Sequence, residues 1–375
     1  MTNRRDFLKA GAALAAVAAV PHHALAQAAS PAMAAFAPKP GAWRQFEVVT
    51  TLDVAPVEGK AGPAQAWIPL PSYTAADWFK PAGNSWKTNA KTAELVKDPH
   101  YGAEMLHLTW AEGEANPTAE IISKVATRAR GTDFSKPGNA APLAPEQRAL
   151  FLAPTDLIPT DGIVKAAADK IVAGKTTDIE KSRAIYEWVV ENTYRNAATR
   201  GCGSGDVGAL LASGNLGGKC ADLNALFVGL NRAVGIPARD LYGIRVAPSA
   251  FGYKSLGANS PTISKAQHCR SEVWLDGFGW VATDPADVRK VVLEEPPGKN
   301  AMDDAKVLAA RKALFGAWEG NWLAYNDGHD IALPGSNGAK LGFLMYPQAE
   351  VASLRHDCLD PDAFAYKITA TEIEA

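Results

Sequence analysis

The chain has 375 residues, with 38 Lys and Arg against 40 Asp and Glu, a formal net charge of −2 and 47% hydrophobic residues. That composition excludes a disordered or collagen-like chain, and the near-neutral charge speaks against a nucleic-acid binder, which is usually clearly basic. At about 100–200 residues per domain the length suggests two domains, enough to bury a core without disulfides or a structural metal.

The chain opens with Asn3-Arg4-Arg5-Asp6-Phe7-Leu8-Lys9, paired arginines followed by Phe-Leu-Lys. An apolar run from Ala10 to Val20 and the small-x-small triplet Ala24-Leu25-Ala26 come next. These three signals in this order read as a twin-arginine signal peptide over residues 1–26, cleaved near Ala26. A buried amphipathic helix that starts with two arginines is the competing reading. The run is shorter than the ~20 residues of a membrane span, and no later stretch is longer, so no stable membrane insertion is expected. The destination is the periplasm or the exterior, reached through the twin-arginine export machinery, where disulfides are permitted.

Residues 27–42, rich in Ala and Pro, read as a linker. From 43 to 134 the pattern is strand-like, with candidates at Phe46–Leu52, Ala66–Pro71, Met105–Trp110 and Ile121–Thr127. Short strands separated by turn signals suggest a small all-β sandwich. Residues 135–160 carry several prolines and form a boundary.

A second domain, 145–295, then turns helical. Thr160-Asp161 can cap a helix through Val172, Thr176, Thr177 or Asp178 a second, and Asp206 a short third. A stronger helix follows Gly217-Gly218-Lys219 and stops at Gly235-Ile236-Pro237. Strands follow to about Leu293. Residues 296–375, with a helix around Asp304 to Trp318 and a few short strands, are expected to pack on this domain as a C-terminal extension.

Beyond the signal the chain has four cysteines, Cys202, Cys220, Cys269 and Cys358, and five histidines, His100, His107, His268, His329 and His356. There is no Cys-x-x-Cys and no His-Glu-x-x-His, so a zinc site has little support. Gly218-Lys219-Cys220 fails as a P-loop because Ser213 stands where the first glycine belongs, and no Gly-x-Ser-x-Gly elbow is present. No cofactor is expected.

Cys220 has the best setting for a nucleophile. Two glycines allow a sharp turn before it, and a helix starts at or just after it. The partial positive charge and free N–H groups of a helix start favour thiolate and can hold an oxyanion. A small buried hydrophobe at a helix start is the alternative.

A thiolate needs a base, and the base an orienting group. The strand-like run from His268 to Leu275, the turn Asp276-Gly277-Phe278-Gly279 and the run Trp280 to Thr283 read as a β-hairpin ending at Asp284-Pro285. With a three-residue loop, Leu275 faces Gly279 and Arg270 faces Asp284, which puts His268 and Asp284 diagonally on one face. A two-residue Asp-Gly loop would put them on opposite faces unless a bulge intervened. The alternative reads Asp284 as a turn residue before Pro285.

Gly218-Lys219-Cys220-Ala221-Asp222-Leu223, continuing from Leu230 to Arg239, resembles the core motif of transglutaminase-like proteins. His268 to Leu275 and Gly279 to Pro285 resemble that superfamily's His and Asp motifs, in the same order, and the match spans roughly 160–290. The resemblance implies a papain/transglutaminase-like α+β core preceded by a small β-sandwich. It also implies Cys220 as nucleophile, His268 as general base and Asp284 as orienter, with the Cys220 N–H as one oxyanion donor. Arg270 stands where the family usually carries an aromatic residue. Tyr194, Trp188 and Asn215 are candidates for the second oxyanion donor. For Cys269, pairing with Cys202 or Cys358 and a plain buried thiol are both open.

The expected activity is cysteine-dependent acyl transfer on peptide or side-chain amides, ending in hydrolysis or transamidation. The partners are a peptide or protein substrate, with peptidoglycan stem peptides suggested by location alone. The alternative is a non-catalytic cell-envelope binding or assembly module that keeps the fold, and a metal-binding redox protein ranks below both.

Overall fold

The computed structural model describes residues 36–374, apart from 58, 60, 61 and 139, so the expected signal peptide and most of the linker lie outside it. Phe36, inside the expected linker, is buried, with its ring 5.2 Å from Phe251 and 4.8 Å from Tyr253.

Strand Arg44–Asp53 alternates buried and half-exposed residues along its length, the period-2 signature of a strand with one wet face. It lies between Thr118–Thr127 and the C-terminal strand Tyr366–Ile373, with Phe79–Thr88 beyond Thr118–Thr127, in a four-stranded antiparallel sheet. A second, five-stranded antiparallel sheet runs Leu354–Arg355, Gln348–Val351, Ala64–Pro69, Glu104–Thr109, Thr92–Lys97. Phe46, Val48, Ile121 and Val125 of the first sheet share a core with Ala66, Ile68, Leu106 and Leu108 of the second. The second sheet is covered on its other face too, where Trp67 and Met105 pack with Ile331, Leu333 and Leu344.

Two strands of this layer, Phe79–Thr88 and Thr92–Lys97, are absent from the sequence reading. Pro81 and Gly83 mask the first; Pro81 stays paired with Val125, and a register shift before Asn84 absorbs Ala82 and Gly83.

The second layer is an antiparallel sheet in the order Gly279–Thr283, Gln267–Leu275, Ala238–Arg245, Trp322–Asn326. Helix Cys220–Ala233 packs on it with every residue buried. Helices Gly162–Ile171, Asp178–Asn192, Val207–Ser213 and Pro285–Glu294 surround that helix. Three of the expected helix starts are present. Thr177 makes a capping box with Glu180, the Asp206 side chain accepts from the Ala209 N–H at 2.8 Å, and Gly162–Ile171 begins after Asp161.

The last eighty or so residues do not form one extension on the second layer. Trp322–Asn326 joins the second layer's sheet, whereas Gln348–Val351 and Tyr366–Ile373 each add a strand to a sandwich sheet. The physical reason is the sheet edge: Arg44–Asp53 and Ala64–Pro69 would each expose a row of unpaired N–H and C=O groups without these strands.

The two layers are stitched by a buried carboxylate. Glu272, on strand Gln267–Leu275, accepts from Arg239 Nε at 2.8 Å, from Tyr73 Oη at 3.0 Å and from Arg130. Tyr73 and Arg130 come from the N-terminal half of the chain. Burial alone would raise the Glu272 carboxyl; Arg239 and Arg130 outweigh it and hold the pKa below its usual range.

Candidate active site

Cys220 is the first residue of its helix and is 4% exposed. The local backbone is arranged around Asp222, the third residue of that helix. Its Oδ2 accepts from the Lys219 N–H at 2.9 Å, and its Oδ1 accepts from the N–H groups of Ser204 and Gly205 at 3.0 Å each. One carboxylate thus fixes the helix start and ties the 203–205 loop to it. The close packing demands glycines: a Cβ on Gly203 would lie 1.9 Å from Asp222 Oδ2, and one on Gly218 would lie 2.5 Å from Asp222 Cβ. The Ala221 N–H donates to the Cys202 carbonyl at 2.9 Å, which sets Cys202 beside Cys220. The Cys220 N–H has no acceptor among the described residues, as expected of a helix's first donors.

The hairpin pairs Leu275 with Gly279, Trp274 with Trp280 and Ser271 with Thr283. This is the register of the three-residue loop, and it brings His268 Nε2 to 2.8 Å from Asp284 Oδ2. Asp284 is more than a turn residue. It N-caps helix Pro285–Glu294, its Oδ1 accepting from the Asp287 N–H at 3.1 Å, and Asn224 Nδ2 donates to the same oxygen at 3.2 Å. Asn224 lies one helical turn after Cys220 and also donates to the Cys269 carbonyl at 2.9 Å, so one side chain links the helix, the histidine strand and the aspartate.

Arg270 occupies the aromatic position without disturbing the set. It lies between the rings of Trp318 and Trp322, 5.0 and 4.9 Å from their centres, and donates to the Glu319 carbonyl at 3.0 Å. Its Nε is 3.9 Å from Asp284 Oδ2, so it adds a positive charge behind the aspartate.

The charges are strongly perturbed. Burial opposes ionisation of Cys220, but sulfur hydrogen bonds from Cys202 and Cys269 and the adjacent His268 outweigh it and take its pKa well below the ordinary thiol value. Burial and Arg245 oppose protonation of His268; Asp287 and Asp284 outweigh them, and its pKa is raised. Asp287 itself is held low: burial would raise it, but Arg245 and His268 prevail. A lowered thiol beside a raised imidazole is the pattern of a thiolate–imidazolium pair.

All four cysteines are free thiols. The sulfurs of Cys202, Cys220 and Cys269 lie within 4.8 Å of one another, a cluster invisible in the 202, 220, 269 spacing. His268, Asp284 and Asp287 form a second group of that compactness. Cys269, for which pairing with Cys202 or Cys358 and a plain buried thiol were both open, is a buried free thiol beside Cys220. The Cys202 thiol is raised, chiefly by Cys220, and the Cys269 thiol is raised, chiefly by burial, so both stay protonated beside Cys220.

Cys220, His268, Cys202, Gln267 and Tyr346 line one cleft of about 560 Å³. None of the oxyanion candidates lines it: Tyr194 is exposed and donates instead to Asn215 Oδ1 at 2.7 Å, and Trp188 sits on helix Asp178–Asn192. Asp222, Asn224 and Gln267 are site residues for which the sequence suggested no role. Only Asp222 carried a local signal, an acidic residue three positions after a helix N-cap.

Comparison with known proteins agrees with this architecture. Residues 165–285 match the transglutaminase-like superfamily, and residues 1–21 match the signal sequence of the twin-arginine translocation pathway. An uncharacterised protein of Haemophilus influenzae is 34% identical over 344 residues, covering 88% of this chain and 91% of that protein. A candidate cysteine protease from Cytophaga hutchinsonii shares the fold at a TM-score of 0.55 with 14% identity, covering 89% of this chain and 92% of its own. No helix among the described residues is long and apolar enough to cross a membrane. Residues 165–285 thus form a transglutaminase-like domain, in a chain that carries a twin-arginine export signal.

Proposed function

We propose that the protein is a cysteine-dependent enzyme that transfers acyl groups from peptide or side-chain amides, with Cys220 as nucleophile, His268 as acid and base, and Asp284 as its orienter. One observation carries the reading. A thiol at the N-terminus of a buried helix adjoins a histidine held by a carboxylate at 2.8 Å, and both open into one cleft.

The Cys220 thiolate attacks the amide carbonyl carbon and forms a C–S bond. Negative charge gathers on the carbonyl oxygen, where the free Cys220 N–H is one donor. The buried Nε2 of Gln267, unpartnered among the described residues, lines the same cleft and is available as a second. The tetrahedral adduct collapses as imidazolium His268 passes its proton to the departing nitrogen, and a thioester remains. Neutral His268 then takes a proton from water, or from an amine, as either attacks the thioester and releases Cys220. Asp284 holds the ring through Nε2, which leaves Nδ1 for the sulfur. The periplasmic location makes peptidoglycan stem peptides one candidate substrate.

The test is alkylation of the mature protein by iodoacetamide across pH, read at each cysteine by mass spectrometry. Cys220 is expected to react well below the free-thiol pKa of about 8.5 and to lose that advantage in His268→Ala. An inert Cys220, or amide-cleaving activity retained in Cys220→Ala, overturns the reading.

A further inference from the structure

The cleft over Cys220 is lined by five basic side chains, Arg195, Lys219, Arg245, Lys265 and Lys290, and by no carboxylate among the described residues. This sits oddly in a chain whose net charge is −2. Two of the five are largely spent. Arg245 donates to the Leu256 carbonyl at 2.6 Å and to Asp287 at 2.6 and 2.8 Å, and Lys265 pairs with Asp362 at 2.9 Å on the exposed rim.

The other three are under-neutralised. Within 4 Å, Arg195 and Lys290 share one carboxylate among the described residues, Glu294, which contacts Arg195 closely and lies 3.8 Å from Lys290; Asp287 acts on Lys290 from farther away. No carboxylate among the described residues comes within 4 Å of the Lys219 ammonium, which belongs to the residue just before the nucleophile. Burial lowers the Lys290 pKa to about 8; Arg245 and Arg195 push it the same way, against Asp287 and Glu294. A recess walled by one sign of charge focuses field lines and concentrates the opposite charge.

We propose that the site selects an anionic acyl donor, an acidic peptide with a free carboxylate close to the amide carbonyl that Cys220 attacks, held by Lys219, Lys290 and Arg195. The proposal rests on the cysteine-enzyme reading above. The carboxylate docks against the lysines and guanidinium as a charge-assisted contact, and this places the neighbouring carbonyl over the sulfur. No further bond is made or broken.

The experiment compares two electrophiles of like size, anionic iodoacetate and neutral iodoacetamide, by their alkylation rates at Cys220 in the mature protein. Because both need the same thiolate, their ratio cancels changes in thiolate fraction. The imidazolium of His268 also attracts iodoacetate, so the reading is the change in the ratio on Lys219→Gln, Lys290→Gln and the double substitution. The expected result is a several-fold fall per lysine, and a fall in the wild-type ratio between 0.05 and 0.5 M salt, added as round test concentrations of about those values. In parallel, peptides matched except for Glu against Gln beside the cleaved amide should differ at least about tenfold in kcat/KM, in favour of Glu, corresponding to the ~1.4 kcal/mol of one screened ion pair.

A ratio insensitive to both salt and substitution, or equal turnover of the two peptides, overturns the anionic preference while leaving the enzyme reading intact. A Cys220 inert to both reagents overturns the enzyme reading, and this proposal with it.

Discussion

Strand Arg44–Asp53 of the sandwich and strand Gln267–Leu275 of the helix-bearing layer both bury apolar side chains but treat charge in opposite ways. In strand Arg44–Asp53 every buried position except Thr50 is hydrophobic, and the charged residues face out. In strand Gln267–Leu275, by contrast, His268, Arg270 and Glu272 are all at most 3% exposed, and across the sheet Arg239, Asp240 and Arg245 are buried as well. Burying charge is expensive unless it is paired. A layer that concentrates it is therefore organised around more than stability: His268 and Arg270 adjoin Asp284 beside Cys220, whereas Arg239 and Glu272 join the two layers.

That contrast can be broken by removing charges from the second layer. The largest effect is expected from Asp284→Ala, which removes a helix cap, the hydrogen-bond partner of His268 and the carboxylate beside Arg270 in one step. Turnover should fall about 10³–10⁴-fold, the scale of losing a triad carboxylate, and loss of the cap and of a buried counter-charge should lower stability by about 3–5 kcal/mol. Amide turnover and urea unfolding measure the two. Asp284→Asn keeps the shape and should separate them, restoring much of the stability and little of the rate.

Glu272→Gln probes buried charge away from the sulfur. It leaves Arg130 and Arg239 without their shared carboxylate, for a loss of about 3–5 kcal/mol. Turnover per folded molecule should change far less than in Asp284→Ala, and a comparable fall would erase the distinction between stitching and reacting charges.

Asp240 tests the cost of burial with pH. Neither of its carboxylate oxygens has a hydrogen-bond partner among the described residues, and burial raises its pKa from 3.8 to about 7 despite Arg232. The folded state therefore keeps a proton that the unfolded chain gives up, and this contribution to stability declines as pH climbs through that interval. Asp240→Asn should be more stable than wild type at pH 8, by roughly 2–4 kcal/mol, and the margin should shrink toward pH 4. Chemical unfolding at the two pH values reads it.

The sandwich supplies the smallest effect. Leu95 is 61% exposed on the edge strand Thr92–Lys97. Leu95→Glu should shift stability by less than about 0.5 kcal/mol and leave turnover unchanged.

The parts legible in the sequence were those written locally. The hairpin itself was legible from Asp276-Gly277-Phe278-Gly279, but the sequence left two loop lengths open, and only the paired strands fix the three-residue loop that brings His268 to Asp284. Gly217-Gly218-Lys219 and Gly235-Ile236-Pro237 bracketed the Cys220 helix. Contacts made at long range were not legible. Asn224 reaches Asp284 across 60 positions, and Cys202 reaches Cys220 through a loop whose geometry depends on Asp222. Nor could the C-terminal strands be placed, because their partners lie some 300 residues earlier: Gln45 pairs with Ile373. The cleft's charge escaped for the same reason, since Arg195, Lys219 and Lys290 come together only through folding.

The three clustered sulfurs give the export route a chemical meaning. Twin-arginine export goes with folding before transport, so the chain closes its core where the surroundings are reducing. By the time it crosses, Cys269 is fully enclosed, and Cys202 and Cys220 face a single opening. An unfolded chain delivered to an oxidase would offer four thiols, which can join fully in three ways. The order of events, folding first and crossing second, thus delivers a reduced thiol into an oxidising space.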